Sequence, residues 1–83
     1  MLDKIIELGT YKVVDLHGLT KEEARAEIFH QLNIVDNYNS IIFIHGYHGG
    51  QVLKNLVRKE IDYERIKKKI MLDASSTAFV LKK

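Results

Sequence analysis

The alternation of hydrophobic and polar positions divides this chain into short elements with short connections. Leu2, Ile5 and Ile6 have helical spacing and Gly9 is a natural stop. Residues 1–9 therefore predict a short N-terminal segment, helical or extended, ahead of a single domain over 10–83. Tyr11–His17 reads as a strand carrying Val13, Val14 and Leu16. Thr20 predicts a helix N-cap, with Glu23 at the reciprocal position of a capping box. Ala24, Ile28, Leu32 and Val35 follow at spacings of four, four and three, an apolar stripe along one helix that Asp36-Asn37-Tyr38-Asn39 ends. Ser40–His45 is a second strand, apolar on both faces and therefore central. Gly46–Gly50 is a glycine-rich turn into a second helix, whose stripe is Val52, Leu53, Leu56, Val57 and Ile61. Lys67–Asp73 is a third strand, and its lysines at 67, 68 and 69 suit a sheet edge, where charge discourages pairing with another chain. Ala74-Ser75-Ser76 predicts a hairpin connection to a fourth strand, Thr77–Lys82, apolar on both faces through Ala78, Phe79, Val80 and Leu81.

The order β-α-β-α-β-β predicts an α/β two-layer sandwich. Strands joined through a helix are parallel, with right-handed crossovers. The hairpin makes the fourth strand antiparallel to the third. With strands two and four central, the mixed sheet has the order 1-2-4-3 and both helices lie on one face. The other face also carries apolar residues and needs a cover: the N-terminal segment, a second copy of the chain in a dimer, or a ligand.

Composition narrows the class. The chain has 83 residues, 46% hydrophobic and 29% charged, as in an ordinary globular domain with a small core. It has no Cys, which excludes a disulfide framework, a thiolate zinc site and a cysteine nucleophile, and suits a reducing cytoplasm. The longest apolar run, Ile41–Ile44, is too short to cross a bilayer, and the N-terminus has no signal-peptide pattern. A cytoplasmic protein with no membrane partner is expected. The net charge is +2, but residues 1–49 carry −3 and residues 50–83 carry +5. That basic half is compatible with a phosphate-rich partner, and equally with lysines that keep an edge strand and tail soluble.

Candidate chemistry collects at two strand ends. The first strand ends Asp15-Leu16-His17-Gly18 and the second Ile44-His45-Gly46, each before a turn into a helix. Parallel strands bring these carboxyl ends to the same edge, the usual ligand-binding edge of an open α/β sheet. Asp15 and His17, two apart, project together, and His45 stands on the neighbouring strand about 4.8 Å away. Histidine gives or takes a proton near neutral pH, and an aspartate beside it fixes its tautomer. Asp15, His17 and His45 are thus candidates for acid–base cleavage of a phosphodiester, activating a 2′-hydroxyl in RNA or water with either nucleic acid. The plainer reading is that Asp15 and His17 shape a turn. No metal is required by this chemistry, although Asp15, His17, His45 and His48 are all chemically competent to bind a divalent cation. His30 falls opposite the apolar stripe and is expected in solvent.

The turn Gly46-Tyr47-His48-Gly49-Gly50 opens a helix whose first N–H groups attract anions. Gly18, Gly46, Gly49 and Gly50 let backbone approach a phosphate, Tyr47 offers a stacking face, and Lys54 and Arg58 add charge. With His48, these are the candidate substrate-binding residues. Tyr47 is equally explained as a turn residue with its hydroxyl in water. A small phosphorylated ligand at the same turn is a third class of function.

At these residues the chain resembles the small MutS-related (Smr) domain family. The likeness rests on Val14-Asp15-Leu16-His17-Gly18-Leu19-Thr20, close to the family's Leu-Asp-x-His-Gly-Leu, and on Ile44-His45-Gly46 followed by a glycine-containing turn and a Leu53-bearing helix. It spans about residues 12–82. The resemblance implies a fold like the C-terminal domain of translation initiation factor three. It also implies nucleic-acid binding, with RNA cleavage or DNA nicking in some members and ribosome-associated contexts among them. Carried over, Asp15 and His17 occupy the motif linked to cleavage, and His45, Gly46 and Gly50 the one linked to binding and activity. A non-catalytic nucleic-acid or ribosome-binding module is the alternative. The chain departs from the family pattern in two places. His48 stands where the second motif usually has glycine, and Asp73-Ala74-Ser75-Ser76-Thr77 replaces a glycine-rich segment before the last strand.

Overall fold

The computed structural model describes residues 8–46 and 51–82. The N-terminal segment, expected to be helical or extended, falls on residues outside that set, except for its end. There Gly9 has a φ of +66°, and a Cβ on it would meet Asn39 Oδ1 at 2.7 Å. Strand β1 runs over Tyr11–Asp15 and ends two residues earlier than the sequence predicts, so His17 and Gly18 lie in a turn. Helix α1 spans Lys21–Ile34. Its capping box forms as expected: the Thr20 hydroxyl accepts from Glu23 N–H at 3.1 Å, and the Glu23 carboxylate accepts from Thr20 N–H at 2.9 Å.

Strand β2 covers Ser40–Ile44. Helix α2 covers Gln51–Asn55 and runs directly into a π-helical turn, Leu56–Glu60, closed by Ile61 N–H donating to the Leu56 carbonyl at 3.0 Å. The sequence predicts one plain helix here, because hydrogen-bond register leaves little trace in a short apolar stripe. Within that stripe Leu53, Leu56, Val57 and Ile61 are buried, but Val52 is 55% exposed. Strand β3 spans Ile66–Asp73 and strand β4 spans Ser76–Leu81, joined by a two-residue turn.

The sheet order is β1-β2-β4-β3, with β1 and β2 parallel and the other pairs antiparallel, as the topology argument requires. Every residue of β4 is buried, which is the property of a central strand. One core lies between the sheet and both helices. There Val14, Leu16, Ile41, Phe43, Phe79 and Leu81 meet Ala24, Ile28, Leu32, Leu53, Leu56 and Val57. Phe43 and Phe79 pack edge to face, ring centroids 5.0 Å apart. On the opposite face Leu8 is fully buried against Ala78 and Val80, beside Ile42, Ile70 and Leu72. Its carbonyl accepts from Ser40 Oγ at 2.8 Å. The end of the N-terminal segment thus covers part of that face, while Tyr11 and Val13 on β1 stay exposed.

The edge strand β3 presents Lys67 and Lys68 outward, but Lys69 turns in. Its ammonium donates to the carbonyls of Arg58 and Ile61 and lies 5.2 Å from the Phe79 ring centre. Those carbonyls end the second helix, where a cation is favoured. Burial lowers the Lys69 pKa from its ordinary value. Among the described residues no helix is long and apolar enough to cross a membrane.

Candidate active site

The two motif-bearing strand ends lie side by side. Asp15 pairs with Ile44 in the parallel register, and Leu16 N–H donates to the Ile44 carbonyl at 2.7 Å. Beyond that bond the first motif turns away into the loop before α1. Gly18 there has a φ of +85°, a conformation that L side chains rarely adopt.

Asp15 and His17 meet, as the sequence expects, but across the turn that follows β1 and not along a strand. Asp15 Oδ1 lies 2.7 Å from His17 Nδ1 and accepts from His17 N–H at 3.0 Å. Both side chains are open to solvent, 53% and 70% exposed. The imidazole bond and the backbone N–H of His17 hold the Asp15 carboxyl below its ordinary pKa. A carboxylate only accepts, so Nδ1 carries the hydrogen of that bond. The base of His17 rests on the second motif: Gly46 has a φ of +89°, and a Cβ there would stand 3.2 Å from His17 Cβ.

His45 is differently placed. It follows Ile41 and Phe43 onto the helix side of the sheet and is 1% exposed. Its Nε2 lies 3.1 Å from Thr77 Oγ1, and its Nδ1 lies 3.4 Å from the Gly46 carbonyl. Desolvation, and then the charges of Arg58 and Lys54, lower its pKa from 6.5, so the ring is neutral at neutral pH. The structure therefore joins Asp15 to His17, sets His17 against Gly46, and turns the His45 ring inward. The reason is packing: the pleat that sends Val14 and Phe43 into the core sends residue 45 the same way.

Arg58 also points inward. Its Nε donates to Thr77 Oγ1 at 2.7 Å, and its Nη2 to the carbonyls of Asp73 and Ser76 at 2.5 and 3.2 Å. Lys54 is half-buried on the same helix. Tyr47, His48, Gly49 and Gly50 lie outside the described residues. Among the described residues no group of three or more His, Asp or Glu side chains is placed to hold a metal ion. His30 is exposed, as its place opposite the stripe predicts.

The β3–β4 turn, singled out in the sequence only as a departure from the family pattern, is part of this edge. Asp73 Oδ1 accepts from Ser75 N–H, Ser75 Oγ and Ser76 Oγ, which holds its carboxyl below the ordinary value and fixes the turn. The Ser75 carbonyl then accepts from both His45 N–H and Gly46 N–H, at 2.9 and 3.2 Å. Those two amides are occupied within the fold. The contact of Thr77 with His45 was not expected from the sequence. The signal for it was a hydroxyl on the helix-facing pleat of a strand otherwise apolar on both faces. At the opposite end of the sheet, Asp36, Tyr38, Glu64, Arg65 and Lys82 line an open groove far from either motif. Arg65 is engaged there, donating to the Leu32 and Val35 carbonyls at the end of α1.

Comparison with known proteins bears on family and fold. The model of the Smr domain family matches residues 14–74, a stretch holding both motifs and ending in the β3–β4 turn. The chain is similar in structure to the Smr domain of Thermus thermophilus MutS2. The TM-score is 0.70, with 87% of this chain and 99% of that chain covered, at 23% sequence identity. At that identity the likeness speaks for the fold. No curated protein matches the chain significantly.

Proposed function

The chain belongs to the Smr domain family, and from that premise we propose that it is a nucleic-acid-binding domain that cleaves phosphodiester bonds with the Asp15–His17 pair. Smr domains are nucleic-acid-binding, nuclease-like modules. The observation that carries the finer reading is the 2.7 Å contact between Asp15 and His17, open to solvent at the carboxyl edge of the sheet. In this reading Asp15 holds Nδ1 and orients the ring. Nε2 takes a proton from the attacking oxygen, the 2′-hydroxyl of RNA or a water, and then returns one to the leaving oxygen. A positioned acid–base group of this kind contributes roughly 10²–10⁴ in rate. Lys54 and the turn over residues 46–50 are the proposed phosphate contacts, with Tyr47 a stacking face for a base. His45 serves this reading from within, by holding the turn that supports His17.

One observation favours the alternative of a binding module without catalysis. The amides of His45 and Gly46, which would suit an oxyanion, are bonded to the Ser75 carbonyl. Cleavage of end-labelled structured RNA, single-stranded RNA and duplex DNA, with and without a divalent cation, separates the two. Nuclease action predicts scission by the wild type and a loss of at least about 100-fold in His17→Ala, with affinity and melting temperature nearly unchanged. Binding without scission in every substrate and cation condition supports the module.

A further inference from the structure

The described part of the site contains a one-way line of hydrogen bonds. Arg58 has donors only, and its Nε donates to Thr77 Oγ1 at 2.7 Å. The Gly46 carbonyl has no hydrogen to give, so in its 3.4 Å contact the donor is His45 Nδ1–H. A neutral ring protonated there keeps a lone pair on Nε2, 3.1 Å from Thr77 Oγ1. Thr77 has a single hydroxyl hydrogen, and its oxygen already accepts from Arg58. With the ring hydrogen on Nδ1, Nε2 can only accept, and the Thr77 hydroxyl donates to it. The order of donation is then Arg58 to Thr77 to His45 to Gly46.

We propose that Arg58 and Thr77 are positioning residues of the site, which hold His45 as the neutral Nδ1–H tautomer and thereby hold Gly46 in place beneath His17. This inference rests on the reading of Asp15 and His17 as the reacting pair. Two routes converge on Gly46. One runs through the His45 ring to the Gly46 carbonyl. The other runs from Arg58 Nη2 to the carbonyls of Asp73 and Ser76, and so to the turn whose Ser75 carbonyl accepts from Gly46 N–H. Gly46 matters because a Cβ on it would stand 3.2 Å from His17 Cβ, a tight contact that His17 would have to yield to. The charged groups bearing on His45 are consistent with a neutral ring: Arg58 and Lys54 from the second helix outweigh Asp73 from the turn. In this scheme His45 does not touch substrate, and the only imidazole of the described edge that exchanges protons is His17.

Histidine-labelled full-length protein, read by long-range ¹⁵N–¹H correlation at pH 7, tests this without turnover. The wild type is expected to show His45 with hydrogen on Nδ1 alone. Thr77→Val keeps the shape and removes the hydroxyl. It is expected to perturb the His45 nitrogens and the Gly46 amide, and to lower cleavage about 10- to 100-fold, the cost of misplacing a reacting group by about 1 Å. Nucleic-acid affinity should stay within about twofold, and Thr77→Ser should restore both the resonances and the rate. An imidazolium or an Nε2–H tautomer in the wild type overturns the proposal, whether or not Thr77→Val folds. So does a Thr77→Val protein with unchanged His45 and Gly46 resonances. If the predicted tautomer and its dependence on Thr77 are found while the wild type cleaves nothing, the network stands and the nuclease reading falls.

Discussion

Two glycines, Gly18 and Gly46, separate backbone strain from steric support at this site. Both have positive φ, near +85° and +89°. An alanine at either is strained by roughly 1–2 kcal/mol. Space distinguishes them. Chain neighbours aside, nothing among the described residues lies within 4 Å of a Cβ on Gly18, whereas a Cβ on Gly46 meets His17 Cβ at 3.2 Å. Gly18→Ala is therefore expected to lower stability without moving His17. Gly46→Ala should produce a similar loss of stability and in addition displace the His17 resonances and reduce cleavage. Equal effects of the two substitutions on His17 would contradict the contact. At this scale the sequence was partly legible. The Asp15–His17 contact is local, between residues two apart, although a turn after β1 and not a strand pleat brings them together. The burial of His45 is not local, because a strand apolar on both faces leaves open which face meets the helices, and its partner Thr77 is 32 residues away.

The elements themselves were legible wherever a local rule and the global fold agree. Thr20 and Glu23 mark the start of α1 in sequence and cap it in structure. That cap also ends the loop bearing His17 and Gly18, so Thr20→Ala should reduce stability by about 1 kcal/mol, read as a drop in the denaturant midpoint. No change would mean that packing of Ala24 and Ile28 alone determines the helix start. The π-helical turn was not legible. Its extra residue per turn is a matter of hydrogen-bond register, and a stripe of four buried residues fits either helix. The turn has a consequence for the site, since Arg58 lies within it and reaches Thr77 from there.

Across the whole molecule, the basic C-terminal half proves less of a phosphate-binding surface than its charge suggests. Arg58, Arg65 and Lys69 all donate to main-chain carbonyls inside the fold. Residue type alone predicts such side chains in solvent, and only the tertiary structure shows where each one goes. The sheet order, by contrast, followed from crossover handedness and two strands apolar on both faces. The same internal polar network sets the response of the fold to acid. His45 has a lowered pKa, so below about pH 6.5 the unfolded chain binds a proton there that the folded one resists, and stability falls as pH drops. Asp15 and Asp73 also have lowered pKa values. Their contribution is complete above 3.8 and is lost as pH falls through the folded values. Melting temperature should therefore decline in two phases on acidification, and His45→Asn should remove the upper one. A flat profile between pH 7 and 5 would contradict a buried neutral His45.

The account turns on whether the His17 ring itself moves the proton, and chemical rescue addresses that directly. In His17→Gly, cleavage of labelled RNA or DNA is expected to fall at least about 100-fold and to recover in part when free imidazole is added. A His17→Gly protein that cleaves at the wild-type rate without imidazole would contradict it.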